Sequence, residues 1–389
     1  MKRLRIGVIY GGRSGEHEVS LASAGAIFAN LDRDRYDPVP IKIERDGHWI
    51  LPDQPPSSES AADTIAQGRA APRSPQQSSQ EIHPIATPGT ETMLVLEPGI
   101  ATTDGPQSHV PVLLSTLTLD MVFPIVHGPY GEDGTLQGLF ELANIPYVGA
   151  GVLASAVGMD KALMKVVFSE KGLPIVNHET VERPEWQKPS SDVLSRVMDN
   201  LKFPLFVKPA NQGSSLGISR VTNATSLSAA IDYAARYDRK IIVEEGVTPC
   251  REIECAIIGN DIPEASVPGE IITSRDFYDY EAKYLDNRSE VAIPAALSST
   301  ELKNITKLAI KAFQSVDCAG MARVDFLVNS DNGQVFVNEI NTHPGFTTIS
   351  MFAKMWNASG VGYSALLDRL IALAFQRHTE KQKIVSTTT

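Results

Sequence analysis

Arg323-Val-Asp-Phe-Leu-Val-Asn-Ser-Asp-Asn-Gly-Gln-Val-Phe-Val-Asn-Glu-Ile-Asn341 reads as two strands around Asp331-Asn332-Gly333. A three-residue loop with glycine in the left-handed position is a common hairpin connection. It pairs Ser330 with Gln334, sets Asp325 opposite Glu339 and Arg323 opposite Asn341, and leaves Val324, Phe326, Val328, Phe336 and Ile340 on the core-facing side. A two-residue loop slips the register by one and drives Asp325 among the apolar groups, so the pattern favours the longer loop. Two carboxylates directly across a ladder repel and need compensation. Asp325, Glu339 and the Asn341 amide are hard oxygen ligands of the kind magnesium takes, with water and phosphate completing its shell. The alternative is a surface hairpin whose carboxylates are solvated or paired with Arg323.

Outward from the hairpin, the next informative stretch is a strand ending in Lys208 and running into Pro209-Ala-Asn-Gln-Gly-Ser-Ser-Leu-Gly217. Backbone N–H groups of such a loop can fold over phosphates while the lysine adds a point charge. Lys161, after Gly158-Met-Asp160, and Lys283, in a polar loop, are further candidate phosphate ligands. A P-loop motif is missing from the chain. Gly149-Ala-Gly-Val-Leu-Ala154 fits the dinucleotide fingerprint, but no clean strand-helix-strand unit with a terminal acid follows it, so nicotinamide binding is disfavoured.

The 389 residues are 42% hydrophobic and 21% charged with a net charge of −11, which predicts two or three globular domains and a sizeable core. An acidic chain without a long Lys/Arg block does not suit nucleic acid or an anionic membrane as its main partner. Cys250, Cys255 and Cys318 match neither a disulfide framework nor a zinc site and read as small core residues in a reducing compartment. The apolar run after Met1 is too short for a signal peptide, and no stretch approaches the about 18 apolar residues of a membrane span. A soluble, cytoplasmic protein is expected.

Along the chain, a strand (4–10), a Gly11-Gly12 turn and a helix (20–31) open an α/β layer. Residues 52–110, rich in Pro, Ser, Gln and Ala, lack periodicity and predict a surface insertion of which part is loosely ordered. A buried-strand pattern (119–126) leads into His127-Gly-Pro-Tyr-Gly-Glu-Asp-Gly134, where a strand end usually faces a ligand crevice. Strands and helices then alternate to a hairpin at 321–341 and a frayed tail from about 378. Three α/β units are expected: 1–149 with the insertion, 150–247, and 248–378, followed by a tail (379–389).

GGRSGEHEVSL (11–21), HGPYGEDGTLQG (127–138), GMDK (158–161), FVKPANQGSSLGISRV (206–221), FYDYEAKY (277–284), ARVDF (322–326) and NEINTHPGFTTISM (338–351) together resemble the D-alanine–D-alanine ligases of the ATP-grasp superfamily. The resemblance spans nearly the whole chain in the family's order, apart from the Pro/Ser-rich stretch and the tail. It implies a Rossmann-like parallel-sheet domain followed by a two-domain ATP-grasp fold with ATP held between two sheets. The implied reaction phosphorylates one D-alanine carboxylate, and the amine of a second attacks the acyl phosphate to give the dipeptide of peptidoglycan.

By the same resemblance, Lys161 and Lys208 contact the α/β phosphates, Lys283 the γ-phosphate, and the Ser214-Ser215 loop covers them. Glu245, Glu252 and the hinge at Val247 hold adenine and ribose. Asp325, Glu339 and Asn341 hold two Mg²⁺ or Mn²⁺, and K⁺ is a further family expectation. Arg323 and the Gly345 amide stabilise the tetrahedral intermediate. Glu16 takes the first D-alanine's ammonium, although a helix-start acid favoured by the dipole reads the same way. Ser350 and the Met351 amide take the second substrate's carboxylate, with His127 nearby. Ser214, Tyr284 and Glu16 latch a lid. Relatives that make D-alanyl-D-lactate replace this tyrosine or its loop, so the intact Glu281-Ala-Lys-Tyr284 favours an amine nucleophile. A homodimer is implied; D-serine or D-lactate as acceptor is the alternative.

Overall fold

The computed structural model describes residues 2–57, 63–64, 80–89, 92–97, 112–188, 192–272 and 290–384, grouped in two compact units. The first unit comprises 1–152, 345–353 and 361–389. Its centre is β1 (Leu4–Gly11), whose near-continuous apolar run is buried on both faces, as parallel strands between covering layers are. After the Gly11-Gly12 turn comes α1 (His17–Asn30), and then β2 (Tyr36–Ile43) and β3 (Trp49–Leu51). β4 (Gln80–Pro84), β5 (Met93–Glu97), β6 (Val112–Leu117), β7 (Met121–Pro124) and α2 (Thr135–Ala143) complete the part before residue 152.

The sheet order is β6-β5-β4-β3-β2-β1-β7, with β1 parallel to β2 and β7 and the remaining pairs antiparallel. β4 and β5 lie inside the stretch read as a partly loose insertion without periodicity, yet they are strands of the central sheet. Ile82, Met93 and Val95 are buried in the first unit's core, and short alternation over five residues is too weak a signal to stand out of a Pro/Ser-rich background. The last helix, Tyr363–Gln382, is tied to this unit by the Tyr36 hydroxyl donating to Asp368 at 2.7 Å. Arg377 donates to the Tyr147 and Gly149 carbonyls, holding the turn that mimics a dinucleotide fingerprint.

His17 is buried at the start of α1, with Nδ1 2.8 Å from the Gly12 carbonyl, which accepts its proton. Burial lowers its pKa against the opposing pull of that hydrogen bond. A depressed imidazole contributes stability that is present above the unfolded value of about 6.5 and lost as pH falls below it. His17→Gln is therefore expected to flatten the fall in unfolding free energy between about pH 7 and pH 5, measured by urea unfolding at each pH.

The second unit comprises 153–344 and 354–360. It holds α3 (Val152–Met159), α4 (Lys161–Glu170), β8 (His178–Glu182), α5 (Arg183–Trp186), α6 (Val193–Asn200), β9 (Leu205–Pro209), β10 (Ser219–Val221), α7 (Ala224–Ala234) and β11 (Lys240–Glu245). These give an antiparallel sheet, β10-β9-β11-β8, whose Val181, Leu205, Val207, Ile241 and Val243 pack against α6 and α7. β12 (Cys250–Gly259), β13 (Glu264–Ala265), β14 (Gly269–Ile272), β15 (Glu290–Ala292), α8 (Ser299–Ser315), β16 (Gly320–Asn329) and β17 (Val335–Asn341) follow. They form the order β15-β14-β12-β16-β17, with β13 on β12. α8 starts with a Ser298/Glu301 capping box. Cys255 and Cys318 are buried as expected, whereas Cys250 is exposed at the start of β12.

The β16–β17 hairpin keeps its expected partners at the open end only. Arg323 faces Asn341, Val324 faces Ile340 and Asp325 faces Glu339, but Phe326 faces Val337 and Val328 faces Val335. Asn329, not Ser330, meets Gln334, its N–H donating to the Gln334 carbonyl at 2.9 Å. The turn is thus one residue longer than expected, and Asn338 is taken up as a bulge that restores the register. Val335 and Val337 are buried with Val324, Phe326, Val328 and Ile340, while Phe336, expected in the core, is half-buried.

Candidate active site

Asp160 caps α4 by accepting from the Leu163 N–H, which places Lys161 in the first turn. The Lys161 ammonium donates to the Gln212 carbonyl at 2.9 Å and lies 3.4 Å from Glu339 Oε2. Lys208 comes from the strand next to β11, and its Nζ sits 2.5 Å from Glu244 Oε2. Glu244 Oε1 lies 2.8 Å from Lys165 Nζ, as an ion pair rather than an aligned hydrogen bond.

Burial would raise the Glu244 carboxyl, but the two ammoniums outweigh it and hold the group ionised well below the usual carboxylate range. Burial likewise pulls Lys208 down, and Glu244, Glu339 and Glu252 more than restore it. Sequence reading missed Glu244 and Lys165. Lys165 lies three residues after buried Ala162 and three before buried Phe168, on the apolar stripe of α4, and that spacing was the available signal.

Three strands line up a row of carboxylates: Glu254 on β12 faces Asp325 on β16, which faces Glu339 on β17. Arg323 compensates this row, donating from Nε to Asp325 Oδ1 at 2.7 Å and from Nη2 to Oδ2 at 2.6 Å, with Nε 3.0 Å from Glu254 Oε2. Against the lowering effect of burial, Asp325 and Glu254 raise the guanidinium pKa further, so it is permanently charged. Glu254 is a third residue that sequence reading missed, because its partner lies on a strand distant in the chain.

Asn341 Oδ1 accepts from the His343 N–H at 3.0 Å. Among the described residues no three His, Cys, Asp or Glu side chains gather as a metal cluster. The two carboxylates and one amide do match a hard cation that draws much of its shell from water and phosphate.

Glu245 is engaged within the protein, accepting from Asn177 Nδ2 at 3.0 Å and from the Lys202 N–H at 2.8 Å. Glu252 is half-buried on β12, opposite Ile271 and Leu327, and Val247 is half-buried after β11. Ser214 and Ser215 both have left-handed backbone, with φ of 50° and 58°, an unusual pair that curls the loop after β9. Lys283 and Tyr284 fall outside the described residues.

The first unit carries the other candidates. Glu16 stands at the N-cap of α1 without capping it through its side chain. Its carboxylate instead lies over Gly128, whose φ is +75° and where a Cβ would come 2.9 Å from Glu16 Oε2. Ser14 links the two segments, its hydroxyl donating to the His127 carbonyl at 2.6 Å and accepting from the Glu16 N–H at 3.2 Å. His127 is buried, with Glu132 Oε1 3.4 Å from Nδ1 and Ser23 Oγ 3.4 Å from Nε2. Ser23 Oγ also accepts from the Phe346 N–H at 3.3 Å, which brings the 345–351 segment beside His127. Ser350 Oγ accepts from the Thr347 N–H at 3.0 Å and would lie 3.3 Å from a Cβ on Gly345.

A model of the D-ala D-ala ligase N-terminus matches residues 5–150, and one of the D-ala D-ala ligase C-terminus matches 167–372. The chain belongs to the D-alanine–D-alanine ligase family. A family member from Heliobacterium modesticaldum is 46% identical over 98% of each chain. The solved D-alanine-D-alanine ligase of Coxiella burnetii is 39% identical, covers 98% of this chain and 97% of its own, and superposes with a TM-score of 0.79. The VanG D-Ala:D-Ser ligase of Enterococcus faecalis is 32% identical with the same TM-score, covering 96% of this chain and all of its own.

The family match runs through the Pro/Ser-rich stretch, which the expected resemblance had left out. The mixed sheet and the two antiparallel sheets are the family's ATP-grasp architecture. As a family member the chain is an ATP-dependent ligase that uses a divalent metal and small-molecule substrates. No single helix among the described residues is long and apolar enough to cross a membrane.

Proposed function

We infer that the enzyme joins two molecules of D-alanine at the expense of ATP. The observation that carries this is the family match across both halves of the chain, with Lys161, Arg323, Asp325 and Glu339 drawn together in the second unit. A carboxylate is a poor electrophile because its charge repels an incoming amine. Transfer of the γ-phosphoryl group to it gives D-alanyl phosphate; the second amine then forms a tetrahedral intermediate that expels phosphate. Phosphoryl transfer demands positioning and charge neutralisation rather than a nucleophilic side chain.

In this reading Lys161 and Lys208 face the α/β phosphates, Lys283 the γ-phosphate, and the Ser214-Ser215 loop closes over them. Glu245, Val247 and Glu252 form the nucleoside end. Asp325, Glu339 and Asn341 hold two magnesium or manganese ions, which when bound neutralise phosphate charge. Arg323 and the Gly345 amide receive the oxyanion. Glu16 orients the first ammonium, and Ser350 with the Met351 amide takes the second carboxylate beside His127. Ser214, Tyr284 and Glu16 act as a latch that keeps water from the acyl phosphate. The two antiparallel sheets are taken as the cores of subdomains proposed at 150–247 and from 248 onward, after an N-terminal domain, 1–149. The expected end of the last subdomain at 378 does not follow the compact units, because 345–353 and 361–378 group with the first of them. A cytoplasmic homodimer that responds to K⁺ completes the proposal.

The test is to supply Mg-ATP and D-alanine and follow phosphate and dipeptide, with D-serine and D-lactate as competing acceptors. Equal amounts of phosphate and D-alanyl-D-alanine are expected. Absence of D-alanine-dependent phosphate would overturn the reading, and faster product from D-serine or D-lactate would reassign the acceptor.

A further inference from the structure

Lys165 has no part in the reaction as assigned, yet its side chain is only 1% exposed inside the second unit. It lies one helical turn after Lys161 on α4, pointing inward. Its ammonium meets two groups: Glu244 Oε1 at 2.8 Å and the Asn338 carbonyl, to which it donates, at 3.2 Å. Each leads to a residue of the assigned machinery. Glu244 holds Lys208 through its other oxygen at 2.5 Å. Asn338 is the bulge residue of β17, and Glu339 follows it directly.

A bulged residue is left out of the cross-strand ladder, so its carbonyl needs another donor once it is buried. Lys165 supplies that donor. Taking three charges out of water brings little net stability, because desolvation offsets their attraction. What the arrangement does supply is fixed geometry for groups on two different sheets.

We propose that Lys165 is a positioning residue for Mg-ATP, holding the Lys208 ammonium in place through Glu244 and fixing, through the Asn338 carbonyl, the bulge that presents Glu339. This rests on the reading that Lys208 serves the nucleotide and Glu339 the metal. Lys165 touches neither and acts only through its neighbours.

The experiment measures Mg-ADP binding by calorimetry, alongside thermal melting and the KM values for ATP and D-alanine, for the full-length wild type, Lys165→Met and Lys165→Met/Glu244→Met. If the wild type fails to bind Mg-ADP, the functional reading itself falls, and the proposal with it. With wild-type binding in hand, Lys165→Met leaves Glu244 short of one partner and is expected to melt lower. The double variant removes one positive and one negative charge together and is expected to melt above the single variant. Both are expected to bind Mg-ADP about 10–100-fold more weakly, with a raised KM for ATP and a KM for D-alanine close to wild type. Should Mg-ADP affinity return to the wild-type value as melting recovers in the double variant, Lys165 is structural only and the proposal is overturned. It is equally overturned if either variant that remains folded binds Mg-ADP as the wild type does.

Discussion

Glu339→Gln is expected to lower D-alanine-dependent phosphate release by about 10²–10³-fold, the scale seen when one preorganised electrostatic contact to a transition state is removed. Gln preserves the volume and the hydrogen-bonding capacity of the side chain and removes its charge. Glu339 faces Asp325 across the ladder and lies 3.4 Å from Lys161, so it sits where the assigned metal carboxylates and the assigned phosphate lysine meet. Losing one of two opposed carboxylates also relieves their repulsion, so the variant should melt no lower than the wild type. Steady-state phosphate release combined with a melting curve separates the two effects. Near-normal turnover in a folded variant would contradict the assignment of this row to the metal.

Arg323→Met is expected to combine loss of turnover with the largest loss of stability. The guanidinium is the cation placed between Glu254 and Asp325, whose side chains are 8% and 14% exposed. Removing one partner of a buried charge network leaves the others uncompensated, at a cost of about 3–5 kcal/mol. Met retains most of the apolar stem, so little of that cost comes from a cavity. Adding Glu254→Gln should recover part of the stability and none of the turnover, since Arg323 is also assigned to the oxyanion. Urea unfolding of both variants checks the first half and phosphate release the second. A single variant as stable as the wild type would mean that the carboxylates do not depend on Arg323.

Much of the order of strands and helices was legible because long elements carry clear signals, a continuous apolar run in β1, helical spacing in α8 and alternation in β16, whereas the short β4 and β5 do not. The hairpin shows a finer limit. Asp325 does face Glu339, but by a longer turn and a compensating bulge at Asn338 that together reach the same register as the simpler turn. The spacing of Val335, Val337 and Ile340, two residues and then three, records that skipped beat in the sequence. Why the bulge falls there is not local, because the donor that its carbonyl needs arrives from α4. Glu244, Lys165 and Glu254 escaped for the same reason: each is a charge whose partner comes from another element, so in isolation it reads as solvated surface. Glu16 was open between a dipole-favoured helix start and a ligand, and the structure shows it leaning over Gly128 rather than capping α1.

In the proposed reaction everything depends on the D-alanine carboxylate being activated as an acyl phosphate before the peptide bond forms. Isotope transfer reads that step: D-alanine labelled with heavy oxygen in the carboxylate is turned over with Mg-ATP in unlabelled water, and the released phosphate is analysed by mass spectrometry. The carboxylate oxygen attacks the γ-phosphorus, and the bond between that oxygen and the carbonyl carbon later breaks, so phosphate should carry one heavy oxygen for each dipeptide formed. Unlabelled phosphate accompanying dipeptide would contradict activation through an acyl phosphate.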